Sequence, residues 1–219
     1  MRVFEHEKIP ELEFDLVAET TEKQRVYNTP SGKKYKSITS ILSKYNKEAI
    51  MLWRQRVGEE EANRISTKAS RRGTKVHDIC EKYLLNEMTD MKLQMMMPDL
   101  KETFFSLKNV LDENIGKVYC LEQALYSDEL EVAGRVDCIA DWDNELGIID
   151  FKTSRRLKDE SKILNYFMQA TAYALMFEER TGKTVNRIVV AIAVDQEDPQ
   201  IFIKEKKDYI QDLMTYVKQ

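Results

Sequence analysis

No stretch of this sequence approaches the roughly 20 consecutive apolar residues that a helix needs to cross a bilayer, so no membrane role is expected. Glycine and proline are sparse, seven and four in 219 residues. There is no Pro/Gly/Ser-rich linker and no internal repeat, so collagen-like, low-complexity and disordered readings fall away. Cysteine is scarcer still: Cys80, Cys120 and Cys138 stand far apart and form no CxxC pair. That excludes a disulfide framework and points to a reducing compartment, the cytoplasm. A basic leader is missing too, because the first 22 residues carry seven acids against two bases, so neither a signal peptide nor a transit peptide is expected. The chain also lacks an excess of positive charge, with 34 Lys and Arg against 38 Asp and Glu, and a net charge of −4 gives no global signature of nucleic-acid binding.

What is present is an ordinary globular composition, 42% hydrophobic and 33% charged, in a chain long enough to bury a real core. Charge is patterned locally. From Arg64 to Lys82 six bases (Arg64, Lys68, Arg71, Arg72, Lys75 and Lys82) face two acids (Asp78 and Glu81). Such a run is commonly no more than a solvated face, and only neighbouring motifs can give it another meaning.

Residues 25–37 read as a hairpin turned by Pro30-Ser31-Gly32. Helices are expected over 38–45, 47–65 and 74–86. The last has Val76, Ile79, Cys80, Tyr83 and Leu84 on one apolar stripe, with Gly73-Thr74 as a start signal and Thr74 as the cap. Residues 88–97 are Met-rich and suit flexible packing. Leu100, Phe104, Leu107 and Leu111 mark a further helix to about 115. The character then changes. Strands are expected over 117–127, 130–142 and 146–153, a helix from 160 to 180 closed by Gly182, and a strand buried on both faces at 187–194. A short strand near 200–204 and a last helix over 205–218 follow. The expectation is an α/β fold: a sheet core over 116–219 behind a hairpin and helical region over 1–115, the two forming one integrated domain.

The chemistry concentrates in IIDFKTS (148–154). Alternation along a strand puts Asp150 and Lys152 on one face and Ile149 and Phe151 on the other. The preceding strand, EVAGRVDCIADW (131–142), is folded back by a tight turn at 143–145, which brings Asp137 beside them. Two adjacent carboxylates repel unless a proton or a cation lies between them, and oxygen ligation favours a hard ion, Mg²⁺ or Mn²⁺. Gly134 leaves space where a backbone or ligand can approach closely.

The run Gly134-Arg135-Val136-Asp137 followed by Asp150-Phe151-Lys152 resembles the GxxD and D-x-K motifs of the PD-(D/E)XK nucleases. Gly73-Thr74-Lys75-Val76-His77 and Gln169-Ala170-Thr171-Ala172-Tyr173 resemble the GxxxH and QxxxY motifs of their RecB-like branch, in the same order. Tyr35-x-Ser37-x-Thr39-x-x-Leu42 and WRQRVGEEEA also resemble phage exonucleases and the mitochondrial genome maintenance exonucleases.

The resemblance implies a restriction-endonuclease-like core with a central mixed sheet flanked by helices. It also implies DNA, single-stranded by preference, as substrate in replication, recombination or repair in a bacterial or phage-infected cell. Asp137, Asp150 and Lys152 would be catalytic; His77, Asp137, Asp150 and the Phe151 carbonyl would hold the metal. Gln169 and Tyr173 would contact DNA and order the site, and Arg71, Arg72 and Lys75 would meet phosphates, with Arg155 and Arg156 flanking. Glu122, in the first strand of the core, is open between ligand and outer partner. Trp53 and Tyr45 are open between base stacking and core packing. Members with an iron–sulfur cluster carry four cysteines, so no cluster is expected here. No protein partner is implied, and a monomer remains open. A structure-selective endonuclease and a DNA-binding module with a decayed site remain as alternatives.

Overall fold

The structure, a computed structural model, describes residues 1–21 and 24–218. Eight strands form one mixed sheet. Strands β1 (Val17–Thr20), β2 (Arg25–Asn28) and β3 (Lys34–Ser37) come from the N-terminal region. The others are β4 (Ile115–Ser127), β5 (Val132–Trp142), β6 (Glu145–Ser154), β7 (Arg187–Val194) and β8 (Gln200–Glu205). Among the described residues seven α-helices surround it: α1 (Ile38–Leu42), α2 (Lys47–Val57), α3 (Glu59–Leu84), α4 (Asp90–Gln94), α5 (Pro98–Asn114), α6 (Leu164–Thr181) and α7 (Ile210–Val217). Among the described residues no helix is long and apolar enough to cross a membrane.

The strand order is β1-β2-β3-β5-β6-β7-β8, with β4 pairing the other edge of β5. The β3–β5 and β6–β7 pairs are parallel, and the rest are antiparallel. Strand β5 is the branch point. Opposite β4, its edge is shared by β3, which takes Val132 and Ala133, and by β6, which takes Cys138 to Trp142. Residues 134–137 lie in the fork between them.

Alternation along the strands sorts two cores. On one face Ile139, Ile148, Ile188 and Val190 pack under α6 through Phe167, Met176 and Phe177. On the other, Cys138, Ala140, Ile149, Phe151 and Val189 pack under α3 and α5 through Val76, Tyr83, Phe104 and Leu107.

The hairpin, the strands of the core and the Gly182 stop, at φ 68°, agree with the sequence pattern. The helix boundaries need correction. The segment expected as one helix over 47–65 breaks at Gly58, whose φ of 86° is left-handed, and α3 starts there with Glu59, Glu60 and Glu61 facing the helix dipole. Helix α3 then runs straight through Gly73, so Gly73-Thr74 starts nothing. Thr74 Oγ1 donates to the Ser70 carbonyl, a bond within the helix and not a cap. A glycine inside a helix costs about 1 kcal/mol, which the burial of Val76, Cys80, Tyr83 and Leu84 outweighs. The last helix begins at Ile210, after a 3-10 turn over Lys206–Tyr209. Strand β1 was not expected at all. The acidic N-terminus nonetheless buries Phe4, Ile9, Leu12 and Leu16.

Candidate active site

Where β6 peels away from β5, the last paired residues are Cys138 and Ile149. The next two residues toward the fork are Asp137 and Asp150. Asp137 fills the gap in the ladder, its Oδ2 accepting the Phe151 N–H at 2.7 Å. Its other oxygen, Oδ1, meets Nδ1 of His77 from α3 at 3.3 Å. Asp150 points to the α6 face. Its Oδ1 accepts the Gln169 side-chain amide at 2.9 Å, and its Oδ2 pairs with Lys152. Lys152 also lies 5.3 Å from the centre of the Tyr166 ring.

Both carboxylates are withdrawn from water, Asp150 completely. Their neighbours then drive them apart. Burial pushes the Asp150 carboxyl up to about 6; Lys152 opposes this and the charge of Asp137 adds to it. Burial would raise Asp137 as well, but the His77 hydrogen bond and charge, Lys152 and the Phe151 N–H outweigh it and hold Asp137 below its ordinary value. The same contact lifts His77 against its own burial. Lys152, half-buried, is lifted by Asp150 and Asp137 against its desolvation. Two carboxylates with opposite shifts beside a retained ammonium ion form the kind of asymmetry found at acid–base sites.

Glu122 joins this group from β4. It lies opposite Asp137, between the pairs Leu121–Cys138 and Gln123–Val136, with a left-handed φ of 47°. Burial and the nearby Asp137 push its carboxyl up to about 7. His77, Glu122 and Asp137 each offer one ligand atom, and these atoms lie within 4.8 Å of one another. One imidazole nitrogen with carboxylate oxygens is a donor set that fits a divalent cation. Asp150, held by Gln169 and Lys152, stands outside that trio, and Phe151 contributes its N–H to Asp137.

The glycine of the GxxD run has a steric reason. A Cβ at Gly134 would stand 2.7 Å from Cε1 of Tyr173 and 3.1 Å from Cγ2 of Ile38. Tyr173 is 1% exposed, so it is packed against the fork and out of reach of a strand; the Gln169 amide lies 3.4 Å from its hydroxyl. Its burial speaks against the DNA contact expected for it and leaves it no free surface for one. Arg72 needs a similar correction. It pairs with Asp195 beyond β7 and donates to Thr103 Oγ1 of α5 at 2.8 Å, so it ties three elements together and is not free for a phosphate. Arg71 and Lys75 are exposed. Tyr45, half-buried, packs edge-on against Tyr216. The sequence reading passed over Tyr166, although Tyr166, Gln169 and Tyr173 follow the i, i+3, i+7 spacing of one helix face.

A model of the PD-(D/E)XK nuclease superfamily matches residues 47–218. Mitochondrial genome maintenance exonuclease 1 of Xenopus tropicalis is 43% identical over 53 residues, which is 24% of this chain and 15% of that protein. The Homo sapiens protein of the same name is 25% identical over 130 residues, 56% of this chain and 37% of that protein. The chain thus spans well under half the length of these relatives. A solved structure from Eubacterium rectale, described as a candidate exonuclease, covers 67% of this chain and 64% of its own at 13% identity and a TM-score of 0.44.

Proposed function

The chain belongs to the PD-(D/E)XK nuclease superfamily, whose members use divalent metal ions, and we propose that it is a Mg²⁺- or Mn²⁺-dependent exonuclease acting on single-stranded DNA from a free end. One observation carries this reading: Asp137, Asp150 and Lys152 meet in the fork between β5 and β6, with His77 and Glu122 reaching Asp137 from two other elements.

His77, Glu122 and Asp137 would hold the cation, with Asp150 and the Phe151 carbonyl nearby. When bound, a divalent cation supplies Lewis acidity toward a phosphate oxygen and makes water more acidic. The side chains supply the rest. Lys152, kept protonated by Asp150 and Asp137, stabilises the negative charge that grows on the phosphate and orients the attacking water. Gln169 fixes one oxygen of Asp150 and leaves the other to Lys152. Tyr173 fills the space above Gly134 and so holds α6 at the right height. Arg71 and Lys75 are free to meet phosphates, which would position a strand without reading its sequence.

Entry from an end is supported by α2. At its start Asn46 donates to Asn165, beside Tyr166 on α6, at 3.4 Å, and at its end Gly58 joins it to α3. It therefore bridges the two helices that carry Gln169 and His77. Residues 1–115 would guide the strand and 116–219 would cut it, as one unit in DNA replication, recombination or repair. The three free cysteines accord with a reducing compartment such as a bacterial or phage-infected cytoplasm.

The test compares linear single-stranded DNA with closed circles of the same sequence, in Mg²⁺, Mn²⁺ and EDTA. Progressive loss of the linear form, survival of the circles and no cleavage in EDTA are expected. Rapid linearisation of the circles would replace end entry with an endonuclease, and full activity after exhaustive chelation would end the metal-dependent reading.

A further inference from the structure

A cleft of about 910 Å³ opens between α3 and α5 above the carboxyl ends of the parallel strands β6 and β7. Its floor continues directly from Lys152 through Thr153, Ser154 and Arg155. Arg72, paired with Asp195, lies in its lining and joins α3 to the loop after β7.

The remaining charges of the cleft are sorted by wall. Arg64 and Lys68 stand on α3 and Arg155 at the exit of β6, while Asp99 and Glu102 stand on α5 and Glu197 and Asp198 in the loop after β7. All seven are exposed; Arg64 pairs with Glu61 of its own helix, and among the described residues the other six enter no ion pair. Opposite charges facing across one cleft without neutralising each other set up a field in which a polyanion is drawn to one side and repelled from the other. A single strand can lay its phosphates along the basic wall. A duplex cannot do so without turning its second row of phosphates toward the acidic wall.

We propose that this cleft holds the part of a single DNA strand adjoining the scissile phosphate, with Lys68 and Arg155 contacting its phosphates and the acidic wall turning away a second strand. The identity of the polyanion rests on the nuclease reading; the sorting of the walls does not. Contacts from Lys68 and Arg155 to phosphates select strandedness and carry no sequence information.

The experiment measures fluorescence anisotropy of a short labelled oligonucleotide, single-stranded and as its duplex, with the full chain in EDTA so that nothing is cut. Lys68→Glu with Arg155→Glu should lose about tenfold or more in single-strand affinity and flatten the salt dependence by a slope of about 1.5. Lys68→Ala with Arg155→Ala should follow in the same direction with a smaller loss. Asp99→Asn, Glu102→Gln, Glu197→Gln and Asp198→Asn together should gain about tenfold for the duplex while single-strand affinity stays within about twofold. Unchanged single-strand affinity in the charge-reversed variant would overturn the proposal. So would an equal gain for both forms in the acid-neutralised one, which is the response to net charge alone. Failure of the nuclease reading would show separately, as wild-type protein that cleaves neither form when metal is restored.

Discussion

Strand β5 and helix α2 have eleven residues each, and β5 buries nine of them where α2 buries none. The strand carries Asp137 and is gripped by β4, β3 and β6. The helix leaves Ile50, Met51 and Leu52 about half exposed and is fixed mainly through its ends. Chemistry that depends on shifted carboxylates needs fixed distances and little water, which a close-packed strand provides. A surface that receives a long polymer has to stay open, and its residues answer to the substrate before the core.

The contrast breaks most sharply at Asp150 and Lys152, the pair proposed to be catalytic. Asp150→Asn and Lys152→Ala should each slow single-turnover cleavage by about a hundredfold or more while DNA affinity changes little, since affinity comes from phosphate contacts elsewhere. Near wild-type cleavage by the Lys152 variant would separate β6 from the chemistry.

Stability should divide along the same line. Gly134→Ala forces a methyl group against the Tyr173 ring and should cost about 1–3 kcal/mol in chemical unfolding, a loss that shrinks when Tyr173 is also replaced by Ala. Ile50→Ser with Leu52→Ser on α2 should leave unfolding within about 0.5 kcal/mol of wild type. Comparable losses from both would mean that α2 is part of the core.

The smallest expected effect is in pH. The carboxyls of Glu122 and Asp150 are raised on folding, from 4.5 to about 7 and from 3.8 to about 6. Between each pair of values the folded chain keeps a proton that the unfolded chain has released, so stability falls as pH rises through the window and stays low above it. In metal-free protein, Glu122→Gln should therefore raise Tm above about pH 7 and change it little below about pH 4.5. Added Mn²⁺ should raise Tm more in the wild type than in the variant. Superimposable Tm–pH curves would remove Glu122 from the site.

Period-two alternation in 132–154 was enough to locate the strands and to put Asp150 and Lys152 on one face, because side-chain direction in a strand follows from chain order alone, while the reading of Asp137, Asp150 and Lys152 as one group came from the resemblance of their motifs. The stripe from Val76 to Leu84 and the spacing of Gln169 and Tyr173 likewise follow from 3.6 residues per turn. Other features belong to tertiary structure. The fork depends on β3 and β6 sharing one edge of β5, residues about 100 positions apart in the chain, and no local pattern encodes that pairing. The break at Gly58 and the uninterrupted passage through Gly73 were decided by what each neighbourhood buries, since a glycine permits a break without requiring one. The sequence allowed Tyr173 and Arg72 to reach DNA as readily as to brace the protein. In the folded chain Gly134, Thr103 and Asp195 stand within contact distance of them, and an available internal partner holds a side chain that would otherwise face solvent.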